Sequence, residues 1–144
     1  MSLPDDIARQ LVEAARQARE YAYAPYSGFR VGAALLAEDG AVYTGCNVEN
    51  SSYGLTCCAE RTALFSAVAN GDHHFLGIAI AADGAQVPPC GACRQVLSEF
   101  APDLPVILAG PGDEHRALSL TNLLPEPFSS DFLHTGESPS DPTS

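Results

Sequence analysis

The chain of 144 residues contains no lysine. Its seven basic side chains are all arginines, scattered singly, against eighteen acidic ones, giving a net charge of −11. A protein that grips nucleic acid by its phosphates needs a clustered basic surface. No nucleic acid is therefore expected among its partners. No apolar run is long enough to span a bilayer, so no membrane is expected either. The opening stretch MSLPDDIARQ lacks the basic start and apolar core of a secretory signal. A cytoplasmic location is the expectation that follows. Internal repeats and any second domain are also missing, which predicts one domain over residues 1–133. Beyond it the run H-T-G-E-S-P-S-D-P-T-S has little to bury, so 134–144 is expected to be a disordered acidic tail.

What the chain does have is cysteine, at positions 46, 57, 58, 90 and 93. In a reducing compartment such residues are read first as metal ligands, catalytic groups or buried thiols.

Hydrophobic spacing predicts a helix over Asp5 to Ala22, stopped by Pro25, and a turn at A-P-Y-S-G. Strands are predicted over Arg30 to Leu36 and Ala41 to Cys46, joined by a hairpin at E-D-G. Asn47 to Thr56 reads as an irregular loop. Helices follow over Cys58 to Asn70 and Gly91 to Phe100, with a strand over Leu76 to Ala82 between them. Pro105 to Leu108 and Ala117 to Leu120 are the last strand candidates, and Thr121 to Leu124 is a helical turn. Strands alternating with helices imply a layered α/β domain with a mixed sheet.

Two segments carry the chemistry, Cys57-Cys58-Ala59-Glu60-Arg61 and Pro88-Pro89-Cys90-Gly91-Ala92-Cys93-Arg94. Each lies at the start of a predicted helix, where free N–H groups and the positive dipole end favour thiolate over thiol. Cysteines three apart share one side of a helical turn, so C-x-x-C is a compact metal clamp. Cys58 would add a third thiolate. Three protein ligands leave tetrahedral zinc one open position, the arrangement of a catalytic site, and water placed there becomes more acidic. Glu60 is close enough to Cys58 to touch that water and move its protons. Such a pattern, with P-C-x-x-C and a non-ligand Glu, is that of zinc base deaminases.

Three thiolates over-neutralise a divalent metal, so something must draw charge off the sulfurs. Arg61 is the candidate, helped by the two helix N-termini. The competing readings are a redox C-x-x-C pair and a structural zinc site with Cys57 as fourth ligand. Neighbours on a helix point about 100° apart, which counts against Cys57. Cys57 and Cys46 are expected to pack as small apolar residues. His73, His74, His115 and His134 lack partners at ligand spacing and are expected at the surface.

The motifs A-Y-A-P-Y-S-G-F-R-V-G-A-A-L-L, G-C-N-V-E-N, C-A-E-R-T-A-L-F, P-C-G-A-C-R-Q and L-L-P-E-P-F together resemble the small homotetrameric cytidine deaminases. The similarity runs from about Ile7 to Leu133. It implies a three-layer α/β/α sandwich around a mixed five-stranded sheet and one Zn2+ per subunit on Cys58, Cys90 and Cys93. It implies hydrolysis of cytidine and 2′-deoxycytidine to the uridine forms with release of ammonia, in pyrimidine salvage. Zinc hydroxide would attack C4, with Glu60 as the proton shuttle. Asn47 and Glu49 would bind the ribose, and residues two apart in an extended stretch do face one way. Phe29 would lie beside the pyrimidine, and the main chain at Cys58 and Ala59 would meet the base. Tyr53 and Phe128 would reach the sites of neighbouring subunits in a homotetramer. The alternative is a related deaminase acting on a nucleoside antibiotic of the blasticidin S type, or on a modified cytosine.

Overall fold

The computed structural model describes residues 2–133. The tail expected beyond that point lies outside the described residues. The elements are α1 (Asp5–Arg19), β1 (Val31–Ala37), β2 (Val42–Cys46), α2 (Ala59–Ala69), β3 (Phe75–Ala82), α3 (Gly91–Ser98), β4 (Pro105–Ala109), β5 (His115–Ser119) and α4 (Leu120–Leu123). Short 3-10 turns lie at Tyr53–Leu55 and Ser130–Leu133.

The five strands form one mixed sheet in the order β2-β1-β3-β4-β5. Only β3 and β4 run parallel, and α3 makes the crossover that a parallel pair requires. The central strands β1, β3 and β4 are buried on both faces, so their side chains alternate between two cores. Ala33, Leu35, Ile78, Ile80, Val106 and Leu108 pack with α2 and α3. Ala34, Ala79, Ala81, Ile107 and Ala109 pack with Ala8, Leu11, Val12 and Ala15 of α1. This is the expected three-layer α/β/α sandwich.

Glycine sets how closely the layers approach. A Cβ on Gly32 would lie 2.0 Å from the carbonyl oxygen of Ala15 in α1, and one on Gly45 would lie 2.4 Å from the amide nitrogen of Ala63 in α2. Both helices therefore rest backbone against backbone on the sheet.

Helix α1 is shorter than its periodicity predicts. It ends at Arg19 rather than Ala22, through 3-10-type bonds from Glu20, Tyr21 and Ala22 to Gln17, Ala18 and Arg19. Tyr23 is then claimed by tertiary pairing. Its N–H donates to Asn47 O at 2.9 Å, and its carbonyl accepts from Glu49 N at 2.8 Å. The other boundaries shift by one or two residues, including β5, which begins at His115 rather than Ala117.

The register Gly32↔Cys46 and Val31↔Ala82 places the carboxyl ends of β2 and β3 on one edge of the sheet, beside the start of β1. Helices α2 and α3 follow those two strands, so both N-termini open on that edge.

Candidate functional site

Cys58 and Cys90 are the N-cap residues of α2 and α3, both with extended backbone. Cys93 is one turn into α3 and fully buried. Cys58 Sγ lies 3.8 Å from Cys90 Sγ, and Cys90 Sγ lies 3.4 Å from Cys93 Sγ. All three sulfurs fall within 4.8 Å of one another. Tetrahedral zinc with sulfur at about 2.3 Å needs sulfurs about 3.8 Å apart. The donor set therefore fits zinc in both chemistry and spacing. Among the described residues it is the one such cluster of His, Cys, Asp and Glu.

Cys57 takes no part. It is not the helical neighbour that its position suggests, because it is extended and paired with Val48. Successive extended residues point to opposite sides. Its Sγ accepts from Thr62 Oγ1 at 3.8 Å. Cys46 is half-buried, and burial raises its pKa.

The thiols are not equivalent. Cys58 is pulled down to about 5, chiefly by its hydrogen bond with Cys93 and then by Arg61, against the opposing effect of burial. The pKa of Cys93 is raised, first by the same bond to Cys58 and then by burial and the nearby charge of Glu60. Arg61 Nη2 donates to Cys58 Sγ at 3.4 Å. The guanidinium thus sits where a charge-assisted bond can withdraw density from sulfur. Arg61 Nε is buried with no partner.

Glu60 is only 5% exposed on the first turn of α2. Burial pushes its carboxyl up to about 7, and the charge of Cys58 adds to the rise. Its own backbone N–H and Arg61 pull the other way. A carboxyl near neutrality exists in both protonation states at physiological pH, as proton transfer in both directions requires. Ala59 is fully buried at the first helical position.

Asn47 and Glu49 both turn toward the segment 26–31, but their first duty is structural. Asn47 Nδ2 donates to Phe29 O at 2.8 Å, and its Oδ1 accepts from Val31 N at 2.9 Å. Glu49 Oε1 accepts from Tyr26 N at 2.9 Å and Ser27 N at 3.1 Å, and Oε2 accepts from Ser27 Oγ. These bonds hold the Glu49 carboxyl below its ordinary range, Ser27 Oγ being the largest cause. Each residue keeps spare capacity, one N–H on Asn47 and lone pairs on Glu49 Oε2. Ser27 was missed by sequence reasoning. Its signal was only a turn serine, and the partner that gives it a role lies 22 residues away.

A cleft of about 410 Å3 is lined by Tyr26, Ser27, Glu49, Tyr53 and Thr56. The Tyr26 and Tyr53 rings stand 5.7 Å apart at its wall. A larger cleft of about 640 Å3 opens between the start of α1 and β5, but no thiol or Glu60 lines it. Phe29 is 40% exposed, Tyr53 74% and Phe128 58%, so these aromatics face outward. One histidine departs from the expected surface role: His115 is half-buried, with Nε2 3.5 Å from Asp5 Oδ1. His73 and His74 are exposed as expected, the His73 ring lying 5.9 Å from that of Phe100. His134 lies outside the described residues.

The family described as "Cytidine and deoxycytidylate deaminase zinc-binding region" matches residues 5–109. The chain is 50% identical over 126 residues to the cytidine deaminase of Sporosarcina psychrophila, covering 86% of this chain and 93% of that one. It is 44% identical to the Mycobacterium tuberculosis cytidine deaminase, covering 91% and 96%. Its fold is similar to the crystal structure of cytidine deaminase from Burkholderia pseudomallei, with a TM-score of 0.80 and 51% identity, covering 88% of this chain and all of that one.

Proposed function

The chain belongs to the cytidine and deoxycytidylate deaminase family, and from that premise we propose that it hydrolyses cytidine and 2′-deoxycytidine to uridine and 2′-deoxyuridine with release of ammonia, a step of pyrimidine salvage. The observation that carries this reading is the meeting of three cysteine sulfurs with a buried carboxyl at two helix N-termini. The catalytic unit is residues 1–133.

Cys58, Cys90 and Cys93 would hold zinc, which would supply a polarised, readily deprotonated water at neutral pH. Glu60 then moves the protons. It takes the one that the attacking water gives up and delivers it to N3 of the cytosine ring, which makes C4 electrophilic. It carries the proton remaining on that oxygen, now bonded to C4, to the amino group, and the C4–N bond breaks as ammonia leaves. Arg61 spreads the excess negative charge of the three sulfurs through its bond to Cys58. The spare N–H of Asn47 and spare lone pairs of Glu49 Oε2 hold the sugar hydroxyls. Phe29 lies along the pyrimidine, and the N-terminal main chain at Ala59 meets its polar edge.

The assembly is a homotetramer in which Tyr53 and Phe128 complete neighbouring sites. The exposure of Tyr53, Phe65, Phe128, Phe132 and Leu133, between 52% and 74%, supports such an interface. Sedimentation of the purified protein tests this, and an active monomer would overturn it. The setting is the cytoplasm. Five unpaired cysteines suit a reducing compartment, and among the described residues no helix is long and apolar enough to cross a membrane.

The deciding experiment is a cytidine-to-uridine absorbance assay with metal analysis, run on the wild type and Glu60→Gln. Zinc-loaded wild type that forms no uridine would refute the proposal.

A further inference from the structure

Helix α3 does more than present Cys90 and Cys93. Its next two residues hold the C-terminal strap. Arg94 Nη1 donates to Leu123 O at 2.8 Å while its Nε donates to Pro89 O at 2.8 Å, next to Cys90. Gln95 Nε2 donates to Phe128 O at 2.7 Å, and Gln95 Oε1 accepts from Phe128 N at 3.3 Å. One side-chain amide thereby satisfies both backbone groups of a single residue, as a strand neighbour would. Among the described residues no other hydrogen bond reaches the Phe128 backbone.

The strap between these anchors is Leu124-Pro125-Glu126-Pro127. Its two prolines have fixed φ and no N–H to offer elsewhere. The strap is therefore tied to one helix at both ends and stiff between them. The Phe128 ring is 58% exposed and, among the described residues, its one aromatic partner is Phe132, 5.9 Å away and tilted by 19°. Its direction is set by the backbone anchor rather than by burial in a core. Cys93 and Gln95 lie about 200° apart around the helix axis. The same turn of α3 thus carries a sulfur on one side and the strap on the other.

We infer that Gln95 is a positioning residue for the nucleoside: its amide locks the Phe128 backbone to the metal-bearing helix of its own subunit and so fixes where the aromatic ring meets the base in the neighbouring subunit's site. This rests on the proposed contact of Phe128 with substrate. It concerns binding alone, because Glu60 and the sulfurs keep their places when the strap is released. Losing the clamp therefore raises KM and leaves kcat in place.

The test is a double-mutant cycle. Gln95→Met keeps the length and helix propensity of the side chain but makes neither bond. With two neutral hydrogen bonds lost, KM for cytidine should rise about tenfold, with kcat within about twofold and zinc content unchanged. Gln95→Asn, one methylene short of reaching both groups, should follow the same pattern. In a Phe128→Ala background, adding Gln95→Met should raise KM no further. The clamp alone is overturned if Phe128→Ala raises KM and Gln95→Met does not. It is equally overturned if Gln95→Met acts with the same force in both backgrounds, or lowers kcat and zinc content at constant KM. Phe128→Ala with a wild-type KM would overturn the placement of Phe128 on the base, and the role of Gln95 with it.

Discussion

Gly45→Ala should damage the site more than any other single added methyl group, and the structure gives the size of the effect. The new Cβ would lie 2.4 Å from Ala63 N, 2.6 Å from Ala59 O and 3.0 Å from Ala63 Cα. All three are backbone atoms of α2, so no side-chain rotation relieves the clash. Ordinary contact for a Cβ begins at 3.4 Å, so α2 and β2 must separate by about 1 Å. Overpacking of this kind costs about 1–3 kcal/mol. For a chain of this size that lowers Tm by roughly 3–10 °C. Function should suffer separately. Ala59 lies between Cys58 and Glu60, so moving α2 against α3 spreads the three sulfurs and carries Glu60 with them. A displacement of about 1 Å can cost about a hundredfold in rate. Zinc per subunit and kcat should therefore fall at temperatures where circular dichroism shows the variant folded. Gly32→Ala is the matched comparison. It clashes more tightly still, at 2.0 Å from Ala15 O and 2.4 Å from Arg19 N, but with α1, so Tm should fall at least as far while kcat per zinc-loaded subunit stays within a few-fold. Gly77→Ala has the end of the Leu3 side chain, rather than backbone, as its nearest neighbour at 2.5 Å, which a rotamer change relieves, and should leave both quantities near wild type. Wild-type Tm and kcat in Gly45→Ala would refute the close-packing account.

Glu60→Gln should retain full zinc by metal analysis while losing about two to four orders of magnitude in kcat. Arg61→Gln should leave a site that loses zinc faster to a chelator and turns over more slowly at full zinc loading; unchanged values for both would remove Arg61 from the metal's electronics. Stripping zinc should abolish uridine formation, and adding it back should restore the rate, both read by absorbance. Tyr43 donates to Asp72, and that bond pushes its phenol up to about 12 from 10. The folded pKa is raised, so the contribution to stability is complete below pH 10 and is lost as pH rises through about 12. Ultraviolet titration should show one of five tyrosines ionising late, and Tyr43→Phe should remove that phase.

The metal-binding pattern was legible in the chain because its causes are local. C-x-x-C spacing, a helix start at each thiol and Glu60 two residues after Cys58 depend on a few neighbours. So do the alternating strands and the period of α1. Other features depended on partners far away in sequence. Tertiary pairing of Tyr23 with Val48 took three residues from the end of α1, which periodicity alone extends to Ala22. Cys57 became an extended bridge residue rather than a helical one for the same reason. Asn47 and Glu49 read as sugar ligands, yet most of their hydrogen-bonding capacity holds the 26–31 segment. Ser27 and Gln95 lie inside recognisable motifs, but nothing local indicated their roles, since each acquires its role from one partner 22 or 33 residues distant. The sequence by itself determined which atoms could bind zinc and which carboxyl could move a proton. Only the tertiary structure brought three sulfurs within 4.8 Å, buried Glu60 to raise its pKa to about 7, and tied Phe128 to the metal-bearing helix. Those outcomes depend on burial and long-range hydrogen bonds, which exist only once the sheet has brought distant segments to the same edge.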